Sequence, residues 1–408
     1  MLKNDSSVIY FFRFVIILSC IIGPHTLQVT GQSNLFARYY ENSDILMEEF
    51  EGFMQNGDTI KHGAYHFYFP NGNKRQKGQF ENNQITGLWY IYYENGTLHQ
   101  KIHFKNNLRH GEYHAFYASG GKMQQGFYLN GLLHGEFISW YEDGIMESII
   151  NYHSGLQHDE KSIFYPNGNL YQQIEMNMGQ ESGRFKQYYK KGGINYLGWK
   201  KSGMFSDTLK VFYENGKLQR IGFYENGNLE GIYKAYHANG NLLIESHYIG
   251  GILQGSFTEY YENGQISTHG KYLENQKTGE WISRYPNGKL YTIGEFKSNL
   301  LQGNWIVYYP NGKKKQTGPY HKGKPQGRWY FFRENGTLKK TGTFIFGLEQ
   351  GIWSFFDESP DNLPVSYVFY KNGKQQGPHW QVKRNTYEKN IMINGYPLIL
   401  RDKDENIW

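Results

Sequence analysis

A glycine stands at every twenty-fourth position from Gly72 to Gly336, twelve copies without a slip. A second glycine column keeps the same step through Gly63, Gly87, Gly111, Gly135, Gly183, Gly231, Gly255, Gly279, Gly303, Gly327 and Gly351, with Asp159 and Asp207 as its exceptions. Such a period makes each unit one supersecondary element that must stack on its neighbours to bury anything. It overrides the two or three ordinary domains that 408 residues would otherwise suggest. Composition agrees, with aromatics at 18%, 36 Tyr, 49 Gly and a mean hydropathy of −0.70. That is too few aliphatics for several globular cores and too many rings for disorder.

Between glycines the unit reads roughly G-x-[WYF]-x-x-[YF]-Y-x-N-G-x-L, then G-x-[FY]-x-N. One aromatic column holds Tyr65, Trp89, Tyr113, Phe137, Tyr233, Trp281, Trp305, Trp329 and Trp353; another holds Tyr68, Tyr92, Phe116, Trp140 and Phe164. The pattern predicts a β-hairpin closed by an Asn-Gly turn, followed by a polar loop. Pro70, Pro166, Pro286 and Pro310 directly precede that pair. Proline cannot donate the ladder hydrogen bond a two-residue loop would need there, but it suits the first central position of a type I turn. Glycine then takes a left-handed bulge, giving a three-residue loop. This register sets the Leu98 column across from the Tyr92 column. It also puts Gly78, Gly126, Gly222, Gly270, Gly294, Gly318 and Gly342 on that face, where neighbouring rings can lie over the strand. Each cross-strand pair contributes roughly 0.2–1 kcal/mol, so no hairpin stands alone and stability is summed over copies. The expected fold is all-β: an antiparallel sheet, a solenoid-like array of about thirteen hairpins at roughly 10 Å each, on the order of 130 Å in all.

The unit resembles the bacterial variant of the MORN repeat. Gly279–Gly288 (GEWISRYPNG), Gly303–Gly312 (GNWIVYYPNG) and Gly327–Gly336 (GRWYFFRENG) carry the likeness, which covers residues 50–377. The resemblance implies an elongated, twisted sheet of successive hairpins without an active site, and many bacterial members carry an antitoxin-like label. Choline-binding repeats of cell walls share some letters at a shorter step. The tyrosine-aspartate repeats of large secreted toxins carry an aspartate missing here.

The ends differ from the array. Residues 1–31 read as a signal peptide: Lys3 and Arg13 flank or interrupt an apolar run, and Phe14–Gly23 is long enough for its core but short for a membrane span. The expected cut lies before Gln32. An uncleaved anchor, or lipoprotein-type attachment at Cys20, are the alternatives. Cys20 is the only cysteine, so its removal with the leader excludes disulfides, thiolate metal sites and cysteine nucleophiles. Residues 32–49 read as a linker or N-terminal cap, and residues 378–408 as a C-terminal cap or tail. Two residues are inserted within Asp357–Pro364. The weakest copies lie between 150 and 210, where Asp159, Lys161, Lys200 and Asp207 replace glycines and rings. They read as drifted copies held by their neighbours, or as a bend or docking break.

Catalytic chemistry is not legible. His62, His110, His134 and His158 share one column, but adjacent copies sit about 10 Å apart, whereas ligands must reach about 2 Å from one ion. No metal or cofactor is therefore expected. Glu94, Glu142, Glu214, Glu262 and Glu334 fall at dispersed turn positions, without the cleft that a carboxylate pair needs. No nucleophile elbow, phosphate loop or H-E-x-x-H helix is present.

Charge is more informative. The net is a mild +6, or +5 without Lys3, Asp5 and Arg13. Residues 33–63 hold six acids against two bases, and residues 289–344 hold eleven bases against two acids. Lys313, Lys314, Lys315, Lys322, Lys324, Arg328, Arg333, Lys339 and Lys340 form a candidate basic patch, whose bland reading is lysine that keeps a sheet soluble. Trp281, Trp305, Trp329 and Trp353 form a candidate aromatic surface. The function expected is an exported, non-catalytic protein-interaction scaffold. A carbohydrate or cell-wall binder using exposed rings is the alternative, and an antitoxin or immunity-type neutraliser a further one. The partner expected is another protein, an anionic glycan or cell-envelope surface being the other option; export disfavours nucleic acid.

Overall fold

The computed structural model describes residues 33–358, 363–382, 390–393 and 396–399. The expected signal peptide and most of the tail lie outside these residues. Among the described residues every paired strand is antiparallel and no helix is present. The chain divides into two compact units, residues 1–204 and 205–408. Within each, strands pair with their neighbours in sequence, hairpin after hairpin, which is the all-β repeat array the glycine period predicts.

One module stands for the rest. Gln84–Tyr92 and Leu98–Lys105 pair with Tyr92 opposite Leu98. Gly96 N–H donates to the Tyr93 carbonyl at 2.9 Å, Tyr93 N–H donates to the Thr97 carbonyl at 2.8 Å, and Gly96 has φ +84°. This is the type I turn with a left-handed glycine that the prolines pointed to.

Two features correct the sequence reading. The pairing steps from Tyr92–Leu98 to Ile91–Gln100, so His99 is an extra residue and the strand turns over. By the equivalent bulge, Gly78 pairs with Tyr65 and shares the tryptophan-column face, not the Tyr92 face. The polar loop is a two-residue turn such as Asn82-Asn83, at φ 49° and 63°, the type I′ geometry. The second glycine column lies inside the strand rather than in that loop. Lys77 pairs with Tyr90 and Gln79 with Thr86, which leaves Gly87, Leu88 and Trp89 opposite Gly78 alone. Gly87 has φ +66° at this bulge; Asp159 and Asp207 adopt φ 59° and 67° at the equivalent places. Asp tolerates this region better than most side chains, so losing glycine there keeps the geometry.

The bulge lays the ring of Trp89 flat on Gly78, where a Cβ would overlap the indole. Gly270, Gly294, Gly318 and Gly342 lie in the same way under Trp281, Trp305, Trp329 and Trp353. Where the ring is smaller the floor can be larger: Ile102 pairs with Tyr113 and Ile174 with Phe185, both isoleucines fully buried. In the 205–408 unit the indoles alternate with Phe296, Tyr320, Phe344 and Tyr370. From Phe257 to Tyr370 successive rings meet near edge-on at 5.0–6.2 Å between centroids. Edge-to-face pairs add about 0.5–1.5 kcal/mol each beyond burial. In the 1–204 unit the ladder runs Tyr65, Phe80, Trp89, Phe104. There, past Lys161, Lys200 stands where other copies have a ring, and its ammonium covers Phe185 at 4.8 Å and pairs with Glu181.

Two more parts flank the array. Asn34–Tyr39 and Leu46–Gln55, spanning the stretch read as linker or cap, form a hairpin with Phe36 stacked on Phe50. Its Glu48 is buried yet satisfied by Arg38 at 2.7 Å, Lys61 at 3.0 Å and the Tyr65 hydroxyl at 2.8 Å. Asn390–Ile393 and Tyr396–Ile399 pair with each other as a separate two-stranded sheet.

Adding one methyl under an indole tests this packing directly. Gly342→Ala should destabilise by about 1–3 kcal/mol, the range for overpacking, in urea unfolding. Adding Trp353→Phe should recover part of the loss, since residues in contact are not additive.

Candidate binding surfaces

Much of the polar chemistry in the repeat motif is used between copies. The second tyrosine of each Tyr-Tyr-x-Asn-Gly donates its hydroxyl to a backbone carbonyl of the next copy. Tyr93 reaches Phe116, Tyr117 reaches Trp140, Tyr261 reaches Arg284 and Tyr309 reaches Phe332, at 2.6–2.9 Å. His237 replaces one such tyrosine and meets the Tyr260 carbonyl at 3.0 Å. The turn asparagines do two jobs. Asn263 Oδ1 accepts from Gln265 N–H within its own turn, while Nδ2 donates to the Pro286 carbonyl one copy on. At the opposite edge the type I′ turns donate backward: Asn107 N–H meets the Ile85 carbonyl at 2.9 Å, and Asn107 Oδ1 accepts from Ile85 N–H at 2.6 Å. Sequence reasoning found these turns but not their bonds, because the partner is a backbone carbonyl that leaves no letter.

The nine basic residues do not form one patch. Lys313, Lys314, Lys315 and Lys339 lie exposed along the Asn-Gly edge, with Lys313 Nζ also donating to the Asn335 carbonyl. Arg333 stands there in the tyrosine position and caps the Leu338, Phe356 and Asp357 carbonyls, with Glu358 at 3.5 Å. Lys322 and Lys324 belong to the opposite edge, in and beside a type I′ turn. Arg328 is exposed mid-strand, with Nε donating to Thr341 Oγ1. Lys340 turns to the ring face, its ammonium 4.6 Å from the Trp353 ring centre and 3.5 Å from Glu349. The patch is therefore scattered because successive residues of a strand and its turns face different ways.

The aromatic surface is corrected outright. Trp281, Trp305, Trp329 and Trp353 are only 3%, 9%, 3% and 0% exposed. Each is roofed by neighbouring rings and floored by a glycine, so none offers a free face for a sugar. Trp281, Trp305 and Trp329 also donate their indole N–H to the Lys271, Glu295 and Pro319 carbonyls.

Among the described residues no group of three or more His, Cys, Asp or Glu side chains converges as a metal site. A shallow hollow in the weak copies is lined by Glu160, Gln173, Ile174, Glu175, Arg184 and Lys186. Its charges are used locally. Arg184 binds Glu175 at 2.8 Å and holds that carboxyl below its ordinary range, and Gln173 donates to Glu160 at 2.7 Å.

A regular array of stapled hairpins, with its tryptophan-column rings packed on the sheet and polar side chains at the turn edges, defines a repeat-based binding scaffold. The MORN repeat variant matches nine segments: residues 61–82, 85–106, 133–154, 208–228, 229–249, 253–274, 277–298, 301–322 and 325–345. The chain belongs to the MORN repeat variant family. No curated protein matches it. Similar solved structures include the crystal structure of TcdB2-TccC3-Cdc42, at 9% identity and a TM-score of 0.14, covering 88% of this chain and 26% of that one. The crystal structure of TcdB2-TccC3 gives 10% identity and a TM-score of 0.15, covering 87% and 25%. The chain spans about a quarter of the length of those chains.

The buried and half-buried tyrosines predict an alkaline limit. Burial, with Glu49 bonded to the hydroxyl, pushes Tyr68 up to about 12 from 10.0. Burial also raises Tyr65, with Glu48 adding to the shift, and Tyr113, Tyr272 and Tyr320. A raised phenol keeps its proton longer in the folded chain, so this stability is complete below pH 10 and is lost as pH rises toward 12. Tyrosinate absorbance and unfolding should rise together over that interval. Tyrosines that titrate freely in a folded chain would contradict it.

Proposed function

We propose that this chain is an exported, non-catalytic scaffold that binds an acidic protein segment along the Asn-Gly-turn edge of the 205–408 unit. The observation that carries the reading is the exposed row of Lys289, Lys313, Lys314, Lys315 and Lys339 on that edge, with Glu334 the acid among them. Equivalent positions in adjacent copies, such as Lys315 and Lys339, are two strands or about 10 Å apart. A peptide in the polyproline II conformation turns once every three residues and advances about 3.1 Å per residue, so a carboxylate at every third residue stays on one face and keeps step with the lysines. The staples support this use, because they hold the turns that present the charges. Export rests on the apolar run Phe14–Gly23 and its basic flank.

A synthetic peptide repeating Glu-Ser-Ser, measured against the same composition in shuffled order, tests the reading by fluorescence anisotropy. The ordered peptide should bind more tightly, weaken with salt, and lose at least about tenfold in affinity, or 1.4 kcal/mol, with Lys314→Glu, Lys315→Glu and Lys339→Glu combined. Equal binding by the triple variant would overturn it. For the export part, the protein recovered from its native cells should begin at Gln32; a cytosolic chain that keeps residues 1–31 would count against it.

A further inference from the structure

The column argument against a metal fails at one place. His134 and His158 lie two strands apart, as their shared column requires, but His153 occupies the strand between them. His153 comes from a different column, just before a type I′ turn, so the spacing of the first column does not reveal it. Gly135 pairs with Tyr152, which sets His134 opposite His153, and His153 itself pairs with Leu156, two residues from His158. The three imidazoles follow one another across three strands, with ring centres 5.4 Å and then 6.1 Å apart. Elsewhere among the described residues no imidazole is seen against another.

These separations suit chelation in pairs. A zinc–nitrogen bond of about 2.0–2.1 Å places a ring centre roughly 3.2 Å from the ion, so two rings on one ion stand up to about 6.4 Å apart. Both neighbouring pairs fall inside that limit, and His134 with His158, about two strand spacings or 10 Å apart, falls outside it. His153 is exposed and can turn toward either side. His134 Nδ1 is buried with no hydrogen-bond partner, a lone pair or proton the fold leaves unsatisfied. His158 Nδ1 accepts weakly from Met178 N–H at 3.5 Å, and its Nε2 stands 3.7 Å from Asp159, which supplies an anionic oxygen beside the second pair.

We propose that His153, with His134 on one side or His158 on the other, chelates a divalent transition-metal ion. Imidazole favours copper, nickel and zinc, with copper bound most tightly. Water completes the coordination, so the site is open and exchangeable rather than a closed structural one. A bound ion links adjacent strands at the type I′ edge, next to Lys161, where the ring ladder is interrupted. It therefore favours the folded form by mass action.

Isothermal titration of the untagged full chain with copper or nickel chloride, and nitrogen hyperfine structure in the copper electron paramagnetic resonance spectrum, test the site. His153→Ala removes the ligand common to both pairs. Loss of an outer-shell partner alone costs about 10–100-fold, so this variant should bind at least about tenfold more weakly. His134→Ala and His158→Ala should each lose less, since one pair survives; if only one of them matters, that pair holds the ion. His321→Ala, at a histidine of the 205–408 unit that is not part of the cluster, should bind as the unaltered chain does. Equal affinity in the unaltered chain and His153→Ala, with circular dichroism unchanged, would overturn the proposal.

Discussion

A ring lying flat on a glycine of the neighbouring strand is the contact on which this architecture depends. A hairpin array has no second layer against which to bury a core. Burial must come from side chains folded down onto the sheet itself, and a large aromatic can do this only where the strand beneath has no Cβ. Trp353, with no exposed surface, sits on Gly342 between Phe344 and Tyr370. The bulge at the second glycine column aims the indole, the first column of turns fixes the register, and the ladder of rings carries the packing from copy to copy.

Polar groups follow from the same economy. An exposed array of hairpins is stable only if successive copies are tied, and the motif ties them at both edges. Tyrosine hydroxyls and asparagine amides work at one edge, and type I′ backbone donors work at the other. Side chains recruited in this way have their hydrogen bonds committed between copies. What is left for partners is the variable letter at each turn, where lysine collects in the later copies. The structure thus separates an interior geometry repeated from copy to copy from an edge whose charge can change without disturbing it.

The fold was legible in the sequence because its strongest constraint is periodic. Hairpins, the type I turn and its left-handed glycine all follow from a fixed count and from proline at one position. The face assignment was not legible. Alternation along a strand assumes no extra residue, and His99 is one. Glycine at position 87 looks the same whether it closes a loop or opens a bulge, so the burial of Trp89 and its equivalents was hidden with it. The charged stretch was readable as composition, but Lys340 and Arg333 turn inward to a ring and to carbonyls, contacts that only the register decides. His153 was missed for a related reason: its neighbours in space are in another column.

The ties between copies link residues 20 to 24 positions apart. Removing or duplicating a whole copy leaves every remaining tie with an equivalent partner, whereas a change in length inside a strand shifts the register; the two extra residues within 357–364 fall between paired strands, and across them Gly373 N–H still donates to the Glu349 carbonyl. The array can therefore lengthen or shorten in complete modules without relearning how to fold. Its reach becomes a quantity set by copy number, adjustable independently of the charges carried at its turns.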